Sequence, residues 1–218
     1  MAAVNQRRIL ASAMTENDTV LAVNNDHLGA FESMLRVLPA TKTVMVVIGS
    51  SPLEKILREA AERELKPLEA RIKLEWTDNL SFEEILKSAA ALPPHSAIYW
   101  HNMSVDAAGV GHEGGRALER LHAVANAPIF SYDDAYFGRE LLGGPMQSVA
   151  EGSRQIASVA VRILGGEKAG DIKTPASQFF SAKSEHAFPS NASVDGCNKS
   201  APYPSFCNDG KRHGRGGQ

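Results

Sequence analysis

Apolar residues along this chain alternate between two rhythms. Residues 43–48 read TVMVVI, an unbroken β-branched run of the kind buried on both faces of a parallel sheet. Ser51-Pro52-Leu53-Glu54 follows and predicts a helix start, a capping box with proline at the first helical position. Leu53, Ile56, Leu57, Ala60 and Ala61 then fall on one helical face. The unit repeats. Residues 72–76 predict a second strand, and Ser81-Phe82-Glu83-Glu84 forms a second capping box. Phe82, Ile85, Leu86, Ala89 and Ala90 mark the next apolar face, which Pro93-Pro94 stops. Residues 97–100 predict a third strand and 127–131 a fourth, with a helix between them that starts at Gly114-Gly115 and carries Leu118, Leu121 and Val124. A long helix is expected over 147–164, with Ile156, Ala160, Ile163 and Leu164 inward and Gly165-Gly166 at its end. A shorter helix over 27–38 precedes the first strand.

Strand–helix–strand alternation with short connections implies right-handed crossovers, hence an α/β fold with a parallel sheet flanked by helices. Such sheets bind small ligands where strand carboxyl ends meet the following loops. Those loops are Gly49-Ser50-Ser51, Thr77-Asp78-Asn79, the polar run from His101 through Asn102, Ser104 and Asp106, and Tyr132-Asp133-Asp134. The third follows Tyr99-Trp100 and offers amide, hydroxyl and carboxylate groups beside aromatic walls, as a small-molecule cleft requires. The competing reading is that Tyr99 and Trp100 simply pack a sheet edge.

Composition narrows the functional classes. The 218 residues are 43% apolar and 22% charged, with a formal net charge of −2. That length suits one or two domains. The near-zero charge offers no basic face for nucleic acid. No stretch approaches the roughly 18 apolar residues of a membrane span. Arg7 and Arg8 are followed by no continuous apolar segment, so no signal peptide is expected in this chain. Cys197 and Cys207 both lie near the end, which excludes a disulfide scaffold or a cysteine-rich zinc site for the body of the protein. After about Pro175 the chain is rich in Ser, Pro, Asn and Gly and short of aliphatics, the composition of a disordered tail. The expected division is a leading segment and helix over 1–40, an α/β ligand-binding lobe over 41–146, a crossing helix and strand over 147–175, and the tail over 176–218.

Several motifs compete for the chemistry. Gly109, Gly111 and Gly114 match G-x-G-x-x-G, with Asp133 and Asp134 about 20 residues on, which keeps a nucleotide-dependent Rossmann enzyme as the alternative reading. The first glycine, however, stands well beyond the strand end at Trp100, where that fingerprint would place it. His101, His112 and Glu113 lack zinc-ligand spacing, so no metal is expected. There is no G-x-S-x-G elbow for a nucleophilic serine. Asp133-Asp134 would suit a phospho-accepting receiver, but Gly49-Ser50-Ser51 supplies no acid after the first strand.

The segments TVMVVIGSSP, LPPHSAIYWHNMSVDAAG, ANAPIFSYDD, GRELLGG and AVRILGGEKAGDI, in that order, resemble the substrate-binding proteins of ABC transporters with the type I periplasmic-binding fold. They look closest to the branch also found as sensor modules of bacterial two-component histidine kinases. The resemblance spans residues 18–174. It implies a non-enzymatic protein without cofactors, in which two α/β lobes close over a small solute. It also implies a periplasmic or extracytoplasmic setting and a partner that is an ABC permease or a histidine kinase. By position, it makes Ser50, Ser51, Asn102, Ser104, Asp106, Tyr132 and Asp133 ligand contacts; Tyr99, Trp100 or Tyr132 is then expected to cover the solute's apolar part. The family places a further lobe of about 100 residues ahead of the matching segment. Only residues 1–21 precede it here, so the expectation is an incomplete lobe, as from a truncated or frame-shifted gene. The helix over 147–164 would then stay exposed or pair with a second copy.

Overall fold

The four apolar runs of the central sequence become strands, over 43–48, 73–76, 96–102 and 129–131. The computed structural model describes residues 2–5, 14–23, 25–138, 141–174 and 180–183. Strands β1 (Ala2–Asn5) and β2 (Val20–Val23) pair in parallel ahead of helix α1 (His27–Val37). Then follow β3 (Thr43–Ile48), α2 (Pro52–Leu65), β4 (Lys73–Trp76), α3 (Phe82–Ala90), β5 (Ser96–Asn102), α4 (Gly114–Val124) and β6 (Ile129–Ser131). The chain continues through β7 (Gly144–Gln147), α5 (Val149–Leu164) and β8 (Phe180–Lys183). The central sheet is wholly parallel, in the order β4-β3-β5-β6.

The period-2 alternation along β3 and β5 divides the core into two layers. Met45, Val47, Ile98, Trp100 and Ile129 pack under α3 and α4, against Phe82, Ile85, Leu118 and Leu121. Val44, Val46, Ala97, Tyr99 and Phe130 face α1 and the end of α2, against Phe31, Met34 and Leu65. Each Val, Leu, Ile, Met or Phe among them contributes roughly 1.5–3 kcal/mol by leaving water.

Both capping boxes form as the sequence implies. Ser51 caps α2 with Glu54 reciprocating, and Ser81 caps α3 with Glu84. Asp26 caps α1, and Ser148 caps α5.

Four expectations are corrected. The inner face of α2 is Glu54, Ala61 and Leu65, whereas Leu53 and Ile56 are 40% and 52% exposed. The helix is rotated because the Glu54 carboxylate turns inward, for reasons given below. Val124, at the last turn of α4, lies at the surface. Helix α5 begins two residues late, because Gly144–Gln147 is a strand, and it fully buries only Val159. Ile156 packs on Leu21 of β2, while Leu164 is 87% exposed. Finally, Phe180–Lys183, within the expected tail, is β8, antiparallel to β7. Cys197 and Cys207 lie outside the described residues.

Ile85 has no exposed surface and sits centrally between α3 and the sheet. Ile85→Ala is expected to lower the unfolding free energy by about 2–5 kcal/mol in urea titrations, and a loss under about 0.5 kcal/mol would show that this layer is not close-packed.

Candidate functional site

The carboxyl ends of β3, β5 and β6 form a rim whose shape starts from an irregularity in β5. Val47 pairs with Trp100 but Ile48 pairs with Asn102, so His101 is an extra residue in β5 without a partner on β3. Such a bulge re-aims the side chains around it. His101 packs among His27 and Tyr132, and Asn102 reaches the start of α2.

Glu54 is the centre of the first half of the rim. Its carboxylate, with no exposed surface, accepts from Asn102 Nδ2 at 2.9 Å, from the Ser104 backbone N–H at 2.6 Å and from the Ser51 N–H at 3.0 Å. A buried carboxylate is tolerated only when its lone pairs are met in this way. The site also requires glycine at position 49. A Cβ there would stand 2.6 Å from the Glu54 carboxylate oxygens and 2.4 Å from the Val105 carbonyl. Ser50 completes the join, its Oγ donating to the Asp106 carbonyl at 2.6 Å and its N–H to the Val105 carbonyl at 2.7 Å.

Asp106 is the second centre. Its carboxylate accepts from the Phe82 N–H at the start of α3 and from the Val110 N–H, both at 2.9 Å, and lies 3.1 Å from His112 Nε2. Burial pushes the Asp106 carboxyl up, but those three hydrogen bonds outweigh it and hold the group at about 2. Asp106 thus folds its loop back onto α3.

The second half of the rim is aromatic. The rings of His27, His101 and Tyr132 form a triangle, with centroids 4.9, 5.1 and 5.4 Å apart. The His27 and Leu28 N–H groups donate to Glu64 of α2, which fixes α1 beside the triangle. Both ring nitrogens of His101 are buried without a hydrogen-bond partner among the described residues. Burial, reinforced by His27, drives the His101 ring well below its ordinary 6.5, so it is neutral. Burial also pushes the Tyr132 hydroxyl up, with Asp133 and Tyr136 adding to it. Asp133 is raised above 3.8 chiefly by burial; the Ala135 N–H opposes the shift and Asp134 adds to it.

The structure brings Ser50, Ser51, Asn102, Ser104 and Asp106 into one hydrogen-bonded group around α2 and α3. Tyr132 and Asp133 sit with His27 and His101 at the β6 end. Trp100 belongs to neither, because it has no exposed surface and packs under α3 and α4, edge-on to Tyr136. As Tyr99 and Trp100 are consecutive in a strand, they face opposite layers and cannot wall one cleft. Sequence reading missed Glu54, although the capping box pointed to it as the residue that reaches back to Ser51. It also missed His27, which carries no local signal.

The glycine stretch does not hold a dinucleotide fingerprint. Val105 bridges to Gly111, and the segment folds onto Asp106 rather than leading straight from strand to helix. The N–H groups of Gly115 and Arg116, where a pyrophosphate would sit, are taken by the Glu113 carboxylate. Among the described residues no group of three or more His, Cys, Asp and Glu could hold a metal, and no helix is long and apolar enough to cross a membrane.

No protein-family model matches this chain, and no curated protein matches it. Solved structures do. A conserved domain protein from Vibrio cholerae superposes with a TM-score of 0.55 at 20% identity, over 74% of this chain and 53% of that one. The ligand-free, open structure of a substrate binding protein with adhesive properties from Clostridium difficile gives 0.54 at 15% identity, over 82% and 60%. An ABC domain in complex with L-Trp from Streptococcus pneumonia gives 0.53 at 17% identity, over 74% and 54%. These likenesses establish the fold alone, an α/β lobe with a parallel sheet flanked by helices. The chain spans little more than half the length of these structures.

Two outcomes follow from this geometry. Glu54→Gln keeps one acceptor but turns an amide N–H₂ toward N–H donors, so it is expected to cost about 1–3 kcal/mol in urea unfolding, with an unchanged midpoint contradicting the role of this carboxylate. His101 is neutral when folded and titrates near 6.5 when unfolded. Below that pH only the unfolded chain takes up the proton, so stability falls as pH drops. His101→Phe is expected to make the decline of Tm between about pH 7 and about pH 5 shallower than in the wild type. Parallel declines would contradict this.

Proposed function

We propose that this protein binds a small zwitterionic solute, of the amino-acid class, at the rim of its parallel sheet, and performs no chemistry on it. The observation that carries this reading is a rim whose loops are already locked by internal carboxylates before any solute arrives. The Asn102 side chain is committed through Nδ2, which leaves its Oδ1 for a solute, while its main-chain carbonyl accepts from the Gly49 N–H. Ser104 is exposed with a hydroxyl able to donate. Asp133 takes one backbone N–H on Oδ1, and its other oxygen suits an ammonium group. Tyr132 supplies a partly buried aromatic surface beside it. Ser50 and Ser51 shape the wall, and Asp106 holds its loop in place.

Phosphate-bearing solutes fit poorly. Each α-helix N-terminus among the described residues carries an internal acceptor: Asp26 on α1, Ser51 on α2, Ser81 and Asp106 on α3, Glu113 on α4, and Ser148 with Asp134 on α5. The positions where an anion would be received are filled. Among the structural neighbours one is a substrate binding protein and another is an ABC domain in complex with L-Trp, which supports an amino-acid solute.

A rim on one lobe is half of a cleft. On this reading a second lobe, or a second copy meeting the exposed Val149, Val161 and Leu164 of α5, supplies the other half. Closure then shifts only as far as the solute prefers the closed form. Delivery to an ABC permease and signalling to a histidine kinase are both compatible with such a movement, in an extracytoplasmic setting.

Calorimetric titration with a panel of L-amino acids, L-tryptophan included, tests the proposal. Saturable heat is expected for at least one, with Asn102→Ala and Tyr132→Ala each weakening Kd by about tenfold or more, the loss of one good polar or aromatic contact. No heat across the panel, or affinities untouched by both variants, would overturn it.

A further inference from the structure

The aromatic half of the rim is built around a ring that can carry no charge where it stands. His101 is 1% exposed, and neither of its ring nitrogens has a hydrogen-bond partner among the described residues. An imidazolium has two N–H donors and needs an acceptor for each. The acids on the elements packed against His101 are committed elsewhere. On α1, Asp26 Oδ1 accepts from the Gly29 N–H at 2.8 Å. On α2, Glu64 Oε1 accepts from the His27 and Leu28 N–H groups at 2.8 and 3.3 Å, and Glu54 serves Asn102 and Ser104. At the end of β6, Asp133 Oδ1 accepts from the Ala135 N–H at 2.9 Å. The other titratable neighbours are rings: His27, Tyr132 and Tyr99, with centroids 4.9, 5.1 and 6.5 Å from that of His101. A proton on His101 would place a charge beside a second imidazole, out of water and without an acceptor. That burial, with His27 adding to it, holds the ring well below its ordinary 6.5.

The first turn of α1 is the part of the triangle able to yield. Tyr132 is fastened through its backbone, its carbonyl accepting from the Gln147 N–H at 2.6 Å while Phe130 before it pairs with Tyr99. His27 stands at the very start of α1, where the N–H groups go to the side chains of Glu64 and Asp26. The deep anchors of that helix, Phe31, Met34 and Leu35, begin a turn later. Helix ends open at a lower cost than cores.

We propose that the His27–His101–Tyr132 triangle is an acid-sensitive latch: as pH falls, the first turn of α1 lifts from the end of β5 and gives His101 access to a proton. The sign follows from which state binds the proton. The closed triangle excludes it, whereas an exposed His101 takes it up near 6.5, so acid favours the open state, by about twentyfold between pH 7 and pH 5 for one imidazole. On the amino-acid reading given above, Tyr132 then loses its ring neighbours and the rim holds its solute less well in acid. The latch itself needs no solute.

Amide hydrogen exchange on the full chain without solute tests the latch, after correction for the intrinsic effect of pH on exchange. Protection of the His27 and Leu28 amides is expected to fall at least about tenfold between pH 7 and pH 5. Their exchange is expected to be insensitive to low concentrations of urea, as a local opening is, whereas that of Val46 in the core of the sheet follows global unfolding. His101→Phe is expected to flatten the fall with pH several-fold. In the wild type, the ring nitrogen resonances of His101 are expected to remain those of a neutral ring at pH 5, a readout that does not depend on how the variant folds. No fall in protection, the urea dependence of Val46, a fall as steep in His101→Phe as in the wild type, or an imidazolium signal from folded His101 would each overturn the proposal. Because the rim reading is tested by solute titration and the latch without solute, their failures are told apart.

Discussion

The rim of this protein depends on a carboxylate that has been taken out of water. Glu54 belongs to the first turn of α2, yet its oxygens are met by Asn102 and Ser104, which lie 48 and 50 positions further along the chain. Removing an ionisable group from solvent costs several kcal/mol unless hydrogen bonds replace the lost hydration. That requirement couples three things. Gly49 must lack a side chain, the loop after β5 must approach α2 closely, and α2 must rotate so that Leu53 and Ile56 face solvent. The exposure of those two apolar side chains is a consequence of satisfying one polar group.

The same device recurs around the rim with different donors. Asp106 holds the start of α3, Glu64 the start of α1, and Glu113 the start of α4. In each case an acid from a loop or a neighbouring helix meets backbone N–H groups that a helix start leaves without partners. Loops are ordinarily the mobile part of an α/β lobe. Here they are fastened to helix ends, which themselves rest on a close-packed core. A binding surface prepared in this way spends less of its interaction energy on ordering itself.

Much of this architecture was legible in the sequence. TVMVVI announced a doubly buried strand, and the capping boxes at Ser51 and Ser81 located two helix starts to the residue. The alternation of elements implied the parallel sheet and placed the loops at its carboxyl edge. Other features were not legible, for physical reasons. Helical periodicity names a face but not how much of it finds a partner, so Leu164 was read as inward and is exposed. Composition marks a segment poor in aliphatics but is silent about backbone pairing, which is how β8 escaped notice. The bulge at His101 has no local signature, because it arises from pairing with β3. Consequently the strand was expected to stop at Trp100, and Trp100 was placed at the rim rather than in the core. The triangle of His27, His101 and Tyr132 is assembled from three separate elements and no local pattern foretells it.

The central claim is that the rim is held rigid by its internal carboxylates without any solute present. Amide hydrogen exchange on the ligand-free protein tests this most directly, since protection reports how often each N–H breaks its bond and meets water. The Ser51 and Ser104 amides, both donors to Glu54, are expected to exchange at least about tenfold more slowly than the exposed amide of Ala108 in the same loop region. Exchange of Ser51 and Ser104 as fast as that of Ala108 would show that the rim is not preformed.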